Sequence, residues 1–290
     1  MFFRYKVEKG VIKENHLRPF DAIVIGGGGL KGLSFLGSID FFSQCGLLSD
    51  VSFYAGTSAG SIICLLLILG YSPKEQLEFN LERSYLKFRP FSQIFNSQSL
   101  LDLSDLISAI ETLCKKKVGY VPTFRQLYEF TNKSLRVVAY NASSNCQEIF
   151  SDTLSPEVLV TEAVKYSCSI PFIFEPQRST SGEFYFDGGL VNNLPIDAVT
   201  EANNLLVIST ASTGVRQSFI TFSDIVQLLI SVPTISSDFL RLEHFRNLYP
   251  EKIIHHVHLE QNYSPTATFG MSSEQKIDCF NSGYVFAKGI

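Results

Sequence analysis

Val51-Ser52-Phe53-Tyr54-Ala55-Gly56-Thr57-Ser58-Ala59-Gly60-Ser61-Ile62-Ile63-Cys64-Leu65-Leu66-Leu67-Ile68-Leu69-Gly70 is the stretch on which the fold turns. Val51 to Ala55 reads as a short buried strand. Gly56 to Gly60 is a glycine-bounded turn, and Ser61 to Leu69 is apolar throughout, as a fully buried helix closed by Gly70 should be. The turn has the pattern G-x-S-x-G. A serine on a sharp strand-to-helix turn projects its hydroxyl outward, and small neighbours are what permit such a turn.

Upstream lies a second turn of the same kind. Asp21 to Ile25 is strand-like, Gly26-Gly27-Gly28-Gly29-Leu30-Lys31-Gly32 follows, and a helix runs on from about Leu30. Glycines let a backbone approach a ligand closely, and a helix start offers unpaired N–H groups and partial positive charge. Such a loop suits an anion, either a phosphate or a transient oxyanion. Downstream, Glu183 to Phe186 is a strand ending at Asp187-Gly188-Gly189. A nucleophilic serine needs a base, and an acid at a strand end can reach a shared cleft.

The remaining elements alternate. Ser72-Pro73-Lys74-Glu75 opens a helix with a capping box. Residues 85–101 are irregular and aromatic. Asp102 to Lys117 reads as helix, with Lys115-Lys116-Lys117 suiting its C-terminal dipole. Thr123 caps a helix through Phe130, Leu135 to Tyr140 is a strand, and Ser155-Pro156 opens a helix to about Cys168. A short helix follows Pro195, Leu205 to Thr210 is a strand, and 222–248 is helical with a break near Pro233. Lys252 to Leu259 is strand-like, and Ser272 starts a C-terminal helix. Strands alternating with helices predict an α/β fold with a mainly parallel central sheet. With no linker or repeat, an N-terminal extension (1–20) and one domain (21–290) are expected.

These motifs together resemble the patatin-like phospholipase family. Gly27, Gly28, Gly29, Leu30 and Gly32 match its glycine turn, Gly56 to Gly60 its nucleophile motif, and Asp187 to Gly189 its Asp-Gly-Gly motif. Ser167 to Phe174 is similar to the segment ahead of that Asp, and Asn192-Asn193-Leu194-Pro195 to the segment behind it. The likeness spans roughly 21–211, in the family's order. It implies a three-layer α/β/α patatin-like fold and a Ser58–Asp187 dyad acting on lipid esters of the phospholipase A type. It also implies oxyanion donors at Gly27, Gly28 and Gly29, and no metal or other cofactor. Lys31 stands where the family often has Arg, and Gly26 where it often has Asp. Lys31 keeps the charge but not the planar fork.

Composition narrows the partners. Hydrophobic residues make up 45% and the net charge is -4, so no basic field for nucleic acid is expected. The partners expected are a phospholipid or other lipid ester and a membrane surface met peripherally, with the need for an activating protein left open. No apolar run approaches the ~20 residues of a membrane span, and Met1 to Lys9 lacks a signal-like core. Six cysteines without C-x-x-C spacing fit a reduced, intracellular compartment. The segment from Tyr85 to Phe95 mixes aromatic and basic residues, either an interfacial patch or a loop folded onto the core. Phe222, Ile225, Leu228, Leu229 and Ile235 fit an acyl pocket or a core face.

Three other readings arise, one of them a catalytically silent lipid-binding protein, against which the presence of both Ser58 and Asp187 argues. Ser58, Asp187 and one of His255, His256 or His258 have the chain order of an α/β-hydrolase triad. Gly27 to Gly32 also matches G-x-G-x-x-G, but Asp50 precedes its strand, where dinucleotide binding wants an acid after it.

Overall fold

The computed structural model describes residues 18–82, 87–88, 99–212, 236–261 and 271–289. Among them, a sheet runs in the order β10(Ile253–Gln261)-β9(Asn204–Ser212)-β1(Ala22–Ile25)-β2(Phe53–Thr57)-β5(Ser134–Asn141)-β8(Phe184–Asp187)-β7(Gln177–Arg178), with β6(Cys146–Phe150) also on β5. β10, β9, β1, β2 and β5 are mutually parallel, while β6, β7 and β8 pair antiparallel. A two-stranded ribbon, β3(Lys87–Phe88) with β4(Leu101–Asp102), lies apart.

Both faces of the sheet are covered, which is why its central strands are apolar rather than alternating. Successive residues of β1 point to opposite sides. Ile23 and Ile25 join a core cluster with α1(Gly32–Gln44) and α2(Ala59–Ile68). Ala22 and Val24 join another with Leu194, Ile196, Val199 and, from helix α7 over residues 236–248, Leu242 and Phe245. This is the expected three-layer α/β/α arrangement.

α3(Pro73–Glu82), α4(Ser104–Val118), α5(Phe124–Thr131), α6(Val160–Ser167) and α8(Ser273–Lys288) complete the helices referred to below. Thr123 and Ser272 form the capping boxes of α5 and α8. α4 ends as expected, with three lysines in its last turn and Gly119 in the left-handed conformation. α1 and α8 press together where side chains are missing: a Cβ on Gly37 would overlap Phe280 O, and one on Gly283 would overlap Ser34 O.

Three differences from the sequence reading have local causes. β2 extends through Gly56 and Thr57, because both still pair with β5. The helix expected at Ser155 starts at Val160, since Ser151 and Ser155 bind their own neighbours in turns and Leu159 is held extended by a bridge to Thr123. β6 was unanticipated: of its residues only Phe150 is buried, so no apolar pattern announces it. Most of the aromatic segment Tyr85 to Phe95, and all five apolar residues named between Phe222 and Ile235, lie outside the described residues.

Candidate active site

The sheet register brings the two key residues together. β2 pairs with β5 from Ser134 to Val138, and β8 pairs with β5 from Ala139 to Asn141. β6 overlaps both stretches, so it holds the opposite edge. β2 and β8 therefore share one edge of β5, end to end and running toward each other. β2 stops at Thr57 opposite Val138, and β8 stops at Asp187 opposite Ala139. Ser58 thus leaves its strand directly beside the last residue of β8.

Ser58 itself carries the turn's strain, at φ 53 and ψ -128. Such backbone costs about 1–3 kcal/mol and persists only where the surroundings enforce it. Those surroundings are explicit. Ser58 N–H donates to Ser167 Oγ (2.8 Å), which donates to Val138 O (2.6 Å). Ser58 O accepts from Ser61 N–H (2.9 Å) and Ser61 Oγ (2.6 Å). Thr57 Oγ1 donates to Asn192 O at 2.9 Å. The flanking glycines serve space: a Cβ on Gly56 would lie 2.5 Å from Gly60 C, and one on Gly60 would overlap Ile25 O.

Asp187 is buried beside it. Oδ1 accepts Gly189 N–H at 2.7 Å, and Asp187 N–H donates to Ser169 O at 2.9 Å. Oδ2 is buried with no hydrogen bond of its own. Burial pushes the carboxyl up to about 6, countered in part by the neighbouring Ser58 hydroxyl and by Gly189 N–H. The hydroxyl is thus near enough to favour the carboxylate without a closed hydrogen bond, as is common before substrate binds. A Cβ on Gly188 would overlap Val138 O, so glycine is required behind Asp187.

In the first glycine turn, Gly27 N–H donates to Asn193 O at 3.1 Å and Gly26 N–H to Ile208 O at 2.9 Å. Among the described residues nothing takes the N–H of Gly28 or Gly29. Gly27, expected as a third donor, is already engaged. Only Gly29 needs left-handed backbone (φ 54); a Cβ on Gly27 would sit 2.5 Å from Asn193 Oδ1, and one on Gly28 2.9 Å from Phe35 Cζ. Lys31 caps α1, and Cys279 Sγ lies 4.0 Å from its carbonyl oxygen; burial lowers the ammonium's pKa.

Ser58 and Gly29 border a cavity of about 370 Å³, lined mainly by apolar side chains such as Leu36, Ile62, Leu66 and Phe174. That volume is within the range of small-molecule sites. α2 carries Ile62 and Leu66 away from Ser58, so the cavity follows that helix inward for about 12 Å at 1.5 Å per residue. Among the described residues the lining comes from α1, α2, α3, α4 and α8 and from the segment after α6.

The three candidate histidines of β10 are elsewhere. β10 is three strands from β2, about 14 Å at normal strand spacing. His256 Nε2 and His258 Nδ1 both bind Ser209 Oγ, at 2.7 and 2.8 Å, and His255 packs edge-on against Phe20. Burial pushes His256 down to about 3, with His258 and Arg246 adding to it. None of the three bonds Asp187 or Ser58. β1 and β2, bearing the two glycine turns, put Ser58 rather than an acid where a dinucleotide site wants its ribose partner.

Ser167, Ser169 and Asn193 fall in the two segments flanking Asp187 that the family resemblance marks, without roles assigned to them; Asp238 alone carries no signal in the sequence. Ser167 and Ser169 grip the serine and the aspartate from one short segment, Asn193 packs against Gly27 of the first glycine turn and Gly189 of the Asp-Gly-Gly turn, and Asp238 binds Asn193.

A strained serine on a strand–turn–helix elbow, beside a buried carboxylate and over an apolar cavity, is the construction of a serine acyl hydrolase. The chain belongs to the patatin-like phospholipase family, hydrolases acting on lipid ester bonds, whose model matches residues 23–200. It is 31% identical over 201 residues to "Probable lipid hydrolase 463L" of Invertebrate iridescent virus 6, covering 65% of this chain and 67% of that one. It is 28% identical over 210 residues to "Triacylglycerol lipase 4" of Saccharomyces cerevisiae, covering 63% of this chain and 23% of that one. The chain thus spans under a quarter of the yeast relative's length. The crystal structure of VipD from Legionella pneumophila shares the fold, with a TM-score of 0.50, 18% identity and coverage of 93% and 66%.

Proposed function

We propose that this chain cleaves fatty-acyl esters of phospholipids, as a phospholipase A, through a Ser58–Asp187 dyad. The observation that supports this most is the unpartnered Oδ2 of Asp187 beside Ser58 at the opening of the apolar cavity. Gly189 N–H fixes Oδ1, so the second oxygen is left for the serine proton. A carboxyl pushed up to about 6 is a better base than an ordinary aspartate and is still ionised at neutral pH.

In this reading the acyl chain lies along α2 and its carbonyl oxygen points to Gly28 and Gly29. Ser58 Oγ attacks the carbonyl carbon while Asp187 accepts the proton. The tetrahedral oxyanion takes the N–H groups of Gly28 and Gly29, with the N-terminus of α2 adding positive potential. Collapse expels the lysolipid alcohol, which leaves with the proton from Asp187. Asp187 then deprotonates a water that attacks the acyl-serine, releasing the fatty acid and restoring the hydroxyl. The substrate is met at a membrane surface, since both products and substrate are lipids.

The test is fatty-acid release from mixed phospholipid vesicles in excess chelator, by wild type, Ser58→Ala, Asp187→Asn and a variant with His255, His256 and His258 all changed to Ala. Release that survives chelator and the histidine changes but vanishes in the other two supports the dyad. Loss in the histidine variant, with folding intact, would sink it. If wild type is silent on phospholipid yet Ser58 reacts with a fluorophosphonate, the site is competent and the substrate or a required activator has been misassigned.

A further inference from the structure

Helix α7 reaches the site without lining its cavity. Asp238 Oδ2 accepts from Asn193 Nδ2 at 2.7 Å, and its other oxygen is buried without a partner. Burial pushes this carboxyl up to about 6 even though Asn193, Arg241 and the Leu194 N–H all favour its charge. Arg241, one turn on, donates to Val191 O at 2.7 Å and meets Asp197 at 3.3 Å. The helix therefore clasps the segment that follows Asp-Gly-Gly at three points.

Asn193 is what this clasp holds. Its backbone oxygen takes the Gly27 N–H at 3.1 Å. Its side-chain oxygen packs so closely on both turns that a Cβ would approach it to 2.5 Å at Gly27 and 3.2 Å at Gly189. One side chain thus lies between the turn bearing the Gly28 and Gly29 N–H groups and the turn bearing the Asp187 carboxylate. With Asn193 loose, the Gly27 turn and the Gly189 turn lose the one side chain that packs against both.

We infer that Asp238 is a positioning residue for ester hydrolysis, acting through Asn193 to hold the oxyanion turn and the Asp187 turn in register. This rests on the proposed role of Ser58 and Asp187. Displacements of about 1 Å in such an arrangement can cost a hundredfold in rate.

The test measures turnover of a p-nitrophenyl acyl ester per serine labelled by a fluorophosphonate, so that only folded sites count. Asp238→Ala is expected to lower kcat per labelled serine by about tenfold to a hundredfold, with KM little changed. Asn193→Ala removes the other half of the contact and should do the same. Asp238→Asn keeps an oxygen acceptor in place and should stay within about threefold of wild type. A merely structural role would reduce the labelled fraction or the melting temperature and leave kcat per labelled serine alone, and that result overturns the inference. So does failure of Asp238→Asn to outperform Asp238→Ala. Ser58→Ala separates the two levels: if it retains turnover, the function itself is misread; if it is dead while Asp238→Ala matches wild type per site, only the inference falls.

Discussion

Asp187 and Asp238 are both buried carboxyls, both pushed up to about 6 chiefly by burial, and each keeps one oxygen without a hydrogen bond. What separates them is the neighbour. Asp187 sits beside a hydroxyl at the opening of a cavity, whereas Asp238 faces an amide it has already bound at 2.7 Å. A raised pKa marks both equally and therefore cannot tell a base from a brace. In the proposed dyad the neighbour decides: Asp187 lies beside a hydroxyl with a proton to give, while Asp238 already holds the Asn193 amide.

The distinction fails most visibly at Asp187→Asn. Removing the proposed base should lower kcat at least about 10³-fold with folding unchanged, a loss far beyond that of any Asp238 variant. Equal losses at the two aspartates would erase the difference between them. Their combination sharpens it. If Asp238 works only through the machinery that Asp187 serves, Asp187→Asn with Asp238→Ala should be no slower than Asp187→Asn alone, a non-additivity read from the same turnover assay.

The pH profile gives a smaller effect with a definite sign. In the proposed dyad Asp187 must be ionised to accept the serine proton, so kcat/KM should fall as pH drops through about 6, roughly tenfold per unit below it. Asp238→Asn should keep that limb where it is. A limb that moved with Asp238 would assign the titration to the wrong carboxyl.

Support for Ser58 comes next. Ser167→Ala removes the acceptor of the buried Ser58 N–H and should cost about 1–3 kcal/mol of stability by denaturant melting. Smallest of all, changing His255, His256 and His258 together should leave kcat per labelled serine within about twofold, given their place about 14 Å away along the sheet.

Much of the fold was legible because its signals are short-range. The apolar run after Ser58, the caps at Thr123 and Ser272, and the three lysines ending α4 all act within a turn or two of chain. The polar edge strand β6 was not, since only Phe150 of it is buried. At Ser155-Pro156 the residue types were right for a helix start, but local turns claimed them first.

The sequence by itself determined the two glycine turns, the serine between small neighbours and the aspartate at a strand end. Steric exclusion there is local: Gly56 and Gly60 are five residues or fewer apart, and a Cβ on the first would strike the second. Only the tertiary structure decided that β2 and β8 meet head to head on one edge of β5, that Gly27 N–H is spent on Asn193, and that α7 supplies Asp238. Those contacts join residues 45 to 166 positions apart, and no periodicity or turn preference reaches that far; they exist because pairing the strands side by side brings the chain's distant turns together.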